Sequence, residues 1–538
     1  VVLREDVPVV TEEPEPPAHP GGDDHQHGYD ASGSEGTSGA GGRPGRVLFH
    51  GAHEPVRLSN RTPGAVYGHR VTEAPRDESD IVVRRKTRPG TGRSGRDRSG
   101  DAPAADGQSL RIGRGIWSVG ALAFALRAIW VFVFASVPGG SLLSDPILYH
   151  AYGLRIADGQ GYTSLVELPT SYYPPGYPFF LGGLYRIVDL LGLERWLAPA
   201  VGLTQALLWG IAAVAVALTA RWAFDSRRVG IAAGLVLACW PNLISYAGAW
   251  LSESLFVCVF AVGVAAVTFA ARCSDQDRRR FGAIVLAAVM FALATMVRPQ
   301  VLLGLPLLAL AWLWAGIGWR RTVALGCAVT VAVAALVIPW AIRNDRVLGE
   351  PVFISTNGGD NLCVGYHPGA RGGFAIPSYC DTGETRKEGI DAELRRNSET
   401  RDLAIEHIKN EPLSLPWLAV RKLYWTFRTD DDGLRGNESY GDDDLMGAPW
   451  RTAWLTFANT TYAGIMVFAL GGIVLAARKA FPRRRDPAVL GLLGLTLAGV
   501  MVPMLFFGDP RFKVPTTPLF ALFAGLAVVA LVDRLRAP

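Results

Sequence analysis

The chain has 538 residues, of which 49% are hydrophobic and 19% are charged, and its formal net charge is +5. The hydrophobic share is above that of typical soluble domains and the charged share is below it, which argues against a soluble protein and for one embedded in lipid. The basic residues form short clusters between apolar runs rather than one continuous face, so topology explains them better than a nucleic-acid partner does.

The first 110 residues differ in composition from the rest of the chain. Stretches such as EEPEPPAHPGGDDHQHGYDASGSEGTSGAGG are rich in Gly, Pro, Ser and acidic residues. Such segments bury too little apolar surface to offset the loss of chain entropy on folding. We therefore predict a disordered cytoplasmic tail over 1–110 and a membrane domain over 111–538. The basic stretch RRKTRPGTGRSGRDRSG that ends the tail is typical of an orientation signal, or of a segment lying on anionic headgroups.

Apolar runs long enough to cross a bilayer, about 20 residues each, recur through the rest of the chain. Several are rich in Ala and Gly, which favours close packing between helices. The sequence predicts an all-α polytopic membrane protein with a bundle of about ten transmembrane helices. The predicted spans are 115–137, 198–220, 229–247, 251–271, 281–297, 300–317, 322–341, 456–477, 487–507 and 515–533.

The orientation follows from the distribution of Arg and Lys in the short loops. Basic clusters occur before the first span and after the second, fourth, sixth, eighth and tenth. Short basic loops stay in the cytoplasm, so the pattern predicts a multi-pass protein of the cell membrane with both termini cytoplasmic. Two long segments, 138–199 and 344–455, then face outward, and we expect both to carry helices that lie at the membrane interface.

The first external segment begins with SDPILYHAYGLRIADGQG. Asp145 followed by Pro146 is typical of a helix N-cap with proline at the first helical position. The helix is predicted to run to about Ala157, and Tyr149 lies on the same side as Asp145 because the two are four residues apart. Asp145 is therefore either a helix cap or the group that carries the chemistry, and the two roles are compatible.

A Pro-rich stretch, LPTSYYPPGYPFF, follows the helix. Its tyrosines, Tyr172 and Tyr173, are candidates for substrate binding together with Tyr149. Tyrosine is also common at bilayer interfaces because it is amphipathic, so anchoring is the alternative.

The order of these motifs along the chain resembles the GT-C superfamily of membrane glycosyltransferases. The similarity is strongest to the bacterial branch related to protein O-mannosyltransferases and lipid A aminoarabinose transferases, and it covers about 112–538. The segments that carry it are SDPILYHAYGLRIADGQGY, PTSYYPPGYPFFLGGLYRI, WPNLISYAGAWLSESLF, MVRPQ, IPWAIRNDRVLGEPVFISTNGGDNLCVGYHPGARG, SETRDLAIEHIKNEPLSLPWLAVRKLYW and FGDPRFKVPTTPLFALFAGLA.

The resemblance implies a transferase that moves a sugar from a polyprenyl-phosphate donor to a lipid, protein or glycan acceptor on the external side, with inversion. In that superfamily an acidic residue of the first external loop acts as the catalytic base or orients the acceptor, and Asp145 occupies this position. Many relatives have two adjacent acids there. This chain has Asp-Pro instead, which puts a metal role in doubt, so no cofactor is assigned and a divalent cation is left open.

Four cations at the outer ends of spans, Arg298, Arg343, Arg511 and Lys513, break the positive-inside pattern. Arg and Lys stabilise a developing phosphate anion, so these residues are candidates for binding the leaving phosphate. Snorkelling of the side chains to lipid headgroups is the alternative. Glu253, at the outer edge of the fourth span, is either a second acid of the site or an interfacial carboxylate.

Three features leave open alternatives. Arg127 lies inside the first span and is expected to face the bundle, where it either pairs helices or contacts substrate. Cys363 and Cys380 share the second external segment and are either bridged or two unpaired thiols. The acidic run DDDGLRGNESYGDDD is most simply a solvated loop, and binding of an acceptor or a cation is the alternative.

A transporter or flippase for lipid-linked sugars is the main rival function, since it would also have many spans and an intramembrane arginine. Transporters often show internal repeats and helices broken at mid-membrane. We find no convincing repeat, and two large external segments favour a transferase.

Overall fold

The structure is a computed structural model that describes residues 113–139, 144–274, 277–382, 389–440, 445–480 and 485–537. The tail predicted to be disordered, residues 1–110, lies outside the described residues. The regular structure of the described part is helical, without a β-sheet. Its helices, in chain order, are α1 Arg114–Phe134, α2 Asp145–Ala157, α3 Gly176–Leu190, α4 Leu197–Phe224, α5 Arg227–Ala238, α6 Pro241–Ser245, α7 Glu253–Arg272, α8 Arg278–Val297, α9 Gly304–Trp314, α10 Trp319–Leu348, α11 Gly358–Gly365, α12 Ile390–Asn410, α13 Leu415–Phe427, α14 Asp432–Asn437, α15 Ala448–Ala480, α16 Pro487–Leu505 and α17 Thr517–Arg536.

Within the described ranges, eight helical segments are long and apolar enough to cross a membrane. They contain α1, α4, α7, α8, α10, α15, α16 and α17. The predicted all-α, multi-pass fold class is therefore confirmed. Eight of the ten predicted spans correspond to these long helices, and the other two, 229–247 and 300–317, do not form long helices.

Proline accounts for both differences. In the predicted span 229–247, α5 has 12 residues and ends before Trp240-Pro241. Proline lacks an N–H group and disfavours helical backbone at the residue before it. In the span 300–317, a short 3₁₀ turn begins at Pro299 and precedes α9, so the apolar helical segment Pro299–Trp314 is shorter than the others.

Arg127 explains how α5 can end inside the bundle. Its side chain is fully buried and donates hydrogen bonds to the carbonyl oxygens of Leu237 and Ala238, at 3.2 and 3.0 Å. The last carbonyls of a helix have no partner within the helix, and lipid offers none. Arg127 supplies donors to two of them while its guanidinium lies 4.9 Å from the ring of Trp209. Of the two roles considered for Arg127, the structure shows helix pairing.

The basic clusters meet at one end of the bundle. Arg272, at the end of α7, donates to the backbone oxygens of Trp222 and Ala223 in α4 and pairs with Asp486 at the start of α16. Arg228 at the start of α5 pairs with Asp533 near the end of α17. The helix ends that the sequence assigns to the cytoplasm therefore lie together. Of the candidates for chemistry, Glu253, Arg298 and Arg511 lie at or next to the opposite ends of α7, α8 and α17.

A disulfide bond joins two parts of the segment 344–455, which the sequence predicts to face outward. Cys363 in α11 and Cys380 form a disulfide bond, which resolves the alternative left open by the sequence. The bonded pair packs with Ala404 of α12 and is surrounded by Leu362 and Tyr379. The disulfide therefore joins two parts of this segment across 17 residues of sequence.

The first part of the acidic run is buried, so its interpretation as a solvated loop is wrong. Asp430 is fully buried, accepts hydrogen bonds from Trp240 Nε1 and Asn242 Nδ2, and lies 3.1 Å from Lys513 Nζ. Asp432 is 2% exposed. Hydrogen bonds and an ion pair with residues from distant helices offset the cost of burying the Asp430 carboxylate. The composition of the run itself gives no information about these partners. The last four residues of the run, 441–444, lie outside the described residues.

Candidate active site

Asp145 lies at the start of α2 and is held by two side chains. Its Oδ1 accepts a hydrogen bond from the hydroxyl of Tyr173 at 2.5 Å, and its Oδ2 pairs with Arg511 Nη1 at 2.6 Å. The residue before the helix is Ser144, so Asp145 is the first helical residue rather than the N-cap. The carboxylate is thus aimed at side chains of two other elements, and the predicted capping geometry is not what the structure shows.

A chain of ion pairs continues from Asp145 into the bundle. Arg511 Nε lies 2.9 Å from Glu253 Oε1, and the same oxygen is 2.5 Å from Arg298 Nη2. Arg298 Nε also donates to Ser252 Oγ at 3.0 Å. Two carboxylates and two guanidinium groups therefore balance in charge. We refer to Asp145, Arg511, Glu253 and Arg298 as the acid–arginine cluster.

The helix ends bring this cluster together. Glu253 is the first residue of α7, Arg298 follows the last residue of α8, and Arg511 lies in the turn before α17. Glu253 is fully buried, whereas the side chain of Asp145 is 30% exposed. Asp145 is thus the more accessible of the cluster's two carboxylates.

The surroundings of Asp145 keep it ionised. Burial by itself would raise the pKa of the Asp145 carboxyl, but the charge of Arg511 and the hydrogen bonds from Tyr173 and Arg511 outweigh it. The pKa of Asp145 therefore lies below its usual value of 3.8. A carboxyl group in this state can accept a proton at neutral pH, although pairing with arginine makes it a weaker base.

Tyr149 and Tyr173 lie beside the cluster, and Tyr172 faces elsewhere. The ring of Tyr149 is buried 4.7 Å from that of Tyr173. The hydroxyl of Tyr172 instead donates to Asp360 in α11 at 3.0 Å, and Asp360 also pairs with Arg396 of α12. Tyr172 therefore links the segments 138–199 and 344–455, which the sequence predicts to face outward. Substrate binding by these tyrosines stays a prediction.

Two of the four predicted phosphate-binding cations lie outside the acid–arginine cluster. Arg343 of α10 donates to the backbone oxygens of Thr170 and Tyr162 at 2.8 and 2.7 Å. Lys513 is fully buried and bonded to Thr429 O and Asp430. Both cations hold chain segments in place in this structure, whereas Arg298 and Arg511 are in the cluster.

Glu393 of α12 was not found from the sequence. Its Oε1 accepts hydrogen bonds from Ser171 N and Thr356 Oγ1, and its Oε2 accepts one from Thr170 Oγ1 at 2.6 Å. These hydrogen bonds hold the loop that carries Tyr173 in place. Glu393 lies in a helix with several other acidic residues, and no local pattern distinguishes it from them.

Tyr440 was also missed. Its ring lies 5.7 Å from the guanidinium of Arg511, and its backbone has a φ of 64°. Left-handed backbone is uncommon outside glycine and asparagine and often marks a functional position. A single tyrosine in an acidic stretch gives no sequence signal for this conformation.

His150, one turn along α2 from Asp145, is buried against aromatic rings. Its ring centre is 4.9 Å from that of Trp250, and its Nδ1 lies 3.2 Å from the hydroxyl of Tyr185. Burial lowers the pKa of His150 to about 4. The imidazole is therefore neutral at physiological pH.

This low pKa predicts a loss of stability in acid. The unfolded chain takes up the proton at a pKa of about 6.5 and the folded chain only near 4, so stability is lost as the pH falls through this window, by ~3 kcal/mol in total. We expect the melting temperature of His150→Gln to fall less than that of the unchanged protein between pH 7 and pH 4.5. Parallel pH curves for the two proteins would contradict this assignment.

The residues of the site do not fit a bound metal ion. Among the described residues, no group of three or more His, Cys, Asp or Glu side chains is placed to hold one. Both carboxylates of the acid–arginine cluster, Asp145 and Glu253, are bonded to arginine. A cation at this position would have to compete with two fixed positive charges, so we derive no step through a metal.

An apolar groove lies between the start of α3 and the helices α8 and α10. Its volume is about 310 Å³. The start of α3 approaches α8 closely here, since a Cβ atom on Gly176 would lie 2.8 Å from the backbone oxygen of Met296. Met296 lies two residues before Arg298, so one residue that lines the groove is close along the chain to a cation of the cluster. Its lining residues are Pro175, Gly176, Phe179, Met296, Leu336, Pro339 and Trp340.

No protein-family model matches the chain, and no curated protein matches its sequence. Among solved structures, it is similar to the Archaeoglobus fulgidus oligosaccharyltransferase complexed with zinc and sulfate, with 15% identity, a TM-score of 0.45, and coverage of 78% of this chain and 49% of that one. The A. fulgidus oligosaccharyltransferase AglB with an inhibitory peptide and a dolichol-phosphate gives 15% identity, a TM-score of 0.46, and coverage of 78% and 50%. The chain thus spans about half the length of these two proteins.

A third similar structure is ArnT from Cupriavidus metallidurans bound to undecaprenyl phosphate. It gives 15% identity and a TM-score of 0.38, with coverage of 77% of this chain and 78% of that one. These likenesses are distant, and the function of this chain has to be inferred from its own side chains. Oligosaccharyltransferase and ArnT are membrane glycosyltransferases of the GT-C superfamily, the group that the sequence motifs resemble.

Proposed function

We propose that the protein is a glycosyltransferase that moves a sugar from a polyprenyl-phosphate donor to a hydroxyl of a lipid, protein or glycan acceptor at the external face of the membrane. The observation that carries this proposal is the position of Asp145. It is a partly exposed, ionised carboxylate that is bonded to Arg511, with Arg298 of the same cluster two residues after Met296, which lines an apolar groove. A base, cations for a phosphate and a path for a lipid are the three requirements of this reaction.

The transfer exchanges one bond at the anomeric carbon for another. The acceptor oxygen attacks the anomeric carbon, and the bond from that carbon to the phosphate oxygen breaks with its electron pair leaving on the polyprenyl phosphate. The acceptor proton passes to Asp145. A direct attack of this kind inverts the configuration. Such help from a base contributes ~10²- to 10⁴-fold in rate.

Arg511 and Arg298 would stabilise the departing phosphate. A guanidinium group has five N–H donors, so an arginine that is bonded to a carboxylate can still donate to phosphate oxygens. Arg511 contacts both Asp145 and Glu253. It would therefore hold the phosphate next to the base, Asp145. Glu253, fully buried between the two arginines, fixes their orientation.

The apolar groove would receive the first isoprene units of the donor. It is lined by residues at the start of α3 and by α8 and α10, and the last two are helices long and apolar enough to cross a membrane. The lipid phosphate would lie at Met296, two residues before Arg298, and so near the acid–arginine cluster. Basic residues at the opposite end of the bundle support an external site with both termini in the cytoplasm, under the positive-inside rule.

The test is transfer of label from radioactive polyprenyl-phosphate mannose or polyprenyl-phosphate arabinose in membranes that contain the protein, with membranes lacking it as the control. We expect label to appear in an acceptor fraction that depends on the protein. Movement of the labelled lipid across the bilayer without any transfer would instead support the rival reading, a transporter or flippase.

Glu393 is expected to act on this reaction as a positioning residue. Glu393→Ala leaves three donors near Tyr173 without their acceptor, and small displacements of a reacting group are costly. We expect kcat to fall ~10- to 100-fold, with little change in the KM for the donor. Glu393→Gln should restore most of the rate because an amide oxygen still accepts hydrogen bonds. Glu399→Ala, at an exposed position of the same helix, is the matched control, and a similar loss in it would count against the positioning role.

A further inference from the structure

Four buried polar atoms near Arg511 have no hydrogen-bond partner among the described residues. They are the hydroxyl oxygens of Tyr246 and Tyr440 and the carboxyl oxygens Glu253 Oε2 and Asp432 Oδ2. Glu253 is bonded to Arg511 through its other oxygen, and the ring of Tyr440 lies over the same guanidinium. The backbone oxygen of Tyr246 accepts a hydrogen bond from Ser254 Oγ, one residue after Glu253, and Asp432 precedes Gly433, whose N–H donates to Asn242 Oδ1 in α6, the helix before Tyr246. The four atoms therefore belong to one region next to the acid–arginine cluster.

Such a concentration of unsatisfied groups calls for an explanation. Buried polar atoms in native proteins are nearly always hydrogen-bonded, and the exceptions often mark a ligand or catalytic role. The backbone supports the same interpretation, because Ser439 and Tyr440 are consecutive non-glycine residues with φ of 45° and 64°. Left-handed backbone at such residues costs free energy and persists where the surrounding structure imposes it. Tyr440 is thus held in place at the expense of stability.

The chemistry of the four groups selects the ligand. Tyrosine hydroxyls donate and accept hydrogen bonds, and carboxylate oxygens accept them. Burial and the nearby Asp509 raise the pKa of Asp432 well above its usual range, so this carboxyl can also donate. Sugar hydroxyls, which both donate and accept, match this set. A uronic acid would bring a carboxylate against Glu253 Oε2 with no cation among the four groups to pair with it, and an isoprenoid chain would leave all four groups unsatisfied.

We propose that Tyr246, Glu253, Asp432 and Tyr440 form the subsite for the sugar ring of the donor, and that they select a hydroxylated sugar without an acidic group. The inference rests on the proposed function and deepens it. It requires the sugar to lie next to Arg511, so that the anomeric carbon lies between the phosphate and Asp145.

The test compares lipids with and without a sugar on the purified full chain. Binding of polyprenyl phosphate, polyprenyl-phosphate mannose, glucose, arabinose and galacturonic acid is measured by tryptophan fluorescence in detergent. We expect at least one neutral-sugar lipid to bind ~10-fold or more tightly than polyprenyl phosphate alone, because each good hydrogen bond to the sugar raises the affinity about tenfold. The galacturonic acid lipid should show no such gain.

Removing the tyrosine hydroxyls then separates binding from folding. Tyr246→Phe and Tyr440→Phe should each lose ~10-fold in affinity for the neutral-sugar lipid and keep their affinity for polyprenyl phosphate. Neither should lower the melting temperature, because each removes a buried hydroxyl that has no partner. Tyr366→Phe is the matched control, since its hydroxyl donates to Met504 O at 2.9 Å. That variant should melt earlier and keep the preference for sugar.

The outcomes are distinct. If both variants keep the sugar preference, or if no neutral-sugar lipid binds better than polyprenyl phosphate, the subsite assignment is wrong and the proposed function stands. If the variants bind polyprenyl phosphate more weakly and also melt at a lower temperature, the tyrosines stabilise the fold rather than bind the sugar. This result would also overturn the assignment. If neither polyprenyl phosphate nor any sugar lipid binds the unchanged protein, the proposed function itself fails.

Discussion

Asp145→Asn is expected to lower transfer from a polyprenyl-phosphate sugar by ~10²- to 10⁴-fold, the usual contribution of a positioned base. Asparagine has nearly the same size as aspartate and can still accept the hydrogen bond from Tyr173 with its amide oxygen. It cannot take up the acceptor's proton, and it loses the ion pair with Arg511 at 2.6 Å. The expected result is therefore a folded protein with little activity.

The measurement is the initial rate of label transfer, with the amount of folded protein checked by size-exclusion chromatography. Asp158→Asn is the matched control, because Asp158 is an exposed aspartate directly after the same helix. Donor binding by Asp145→Asn should stay within a few-fold of that of the unchanged protein, since the arginines and the groove remain. Transfer at the full rate by Asp145→Asn would rule out Asp145 as the base.

Arg511→Lys is expected to lower the rate ~10²- to 10³-fold, the loss seen when one preorganised donor at a developing anion is removed. Arginine reaches Asp145 with Nη1 and Glu253 with Nε at the same time. Lysine has a single ammonium group and cannot reproduce this planar, two-sided contact. Charge is conserved in the substitution, so the loss would reflect geometry.

Arg511→Gln should cost more, because it also leaves Asp145 without its positive partner. Breaking a buried ion pair by removing one member destabilises proteins by ~3–5 kcal/mol, and the melting temperature of Arg511→Gln should therefore fall as well. Arg186→Lys is the control, since Arg186 is more than half exposed and pairs with Asp189 at the surface. An Arg511→Lys variant with an unchanged rate would mean that Arg511 has only a structural role.

Much of the fold could be predicted from the sequence because membrane crossing is a local property. A helix crosses lipid when about 20 neighbouring residues are apolar, and eight of the ten predicted spans correspond to long helices. The two differences, at 229–247 and 300–317, arise at prolines that were visible in the sequence. What the sequence did not reveal is that Arg127 donates to the open end of α5 from a position 110 residues away.

The site could be predicted only in part. Asp145 was selected from its position after the first span, and Arg298, Arg511 and Glu253 from their positions at the outer ends of spans. Which of the predicted cations meets Asp145 depends on how the helices pack, and Arg511 is 366 residues away along the chain. Arg343 looked equivalent in sequence and instead holds the backbone at Thr170.

The sequence by itself determined the apolar spans, their alternation, the basic ends and the choice of Asp145, because each depends on residues that are neighbours along the chain. The tertiary structure decided which charges pair, that Asp430 and Asp432 are buried, and that Glu393 and Tyr440 lie beside the site. Burial and ion pairing are set by contacts between helices distant in sequence. For this reason the chemistry of the acid–arginine cluster became visible only once α2, α7, α8 and the turn before α17 were seen together.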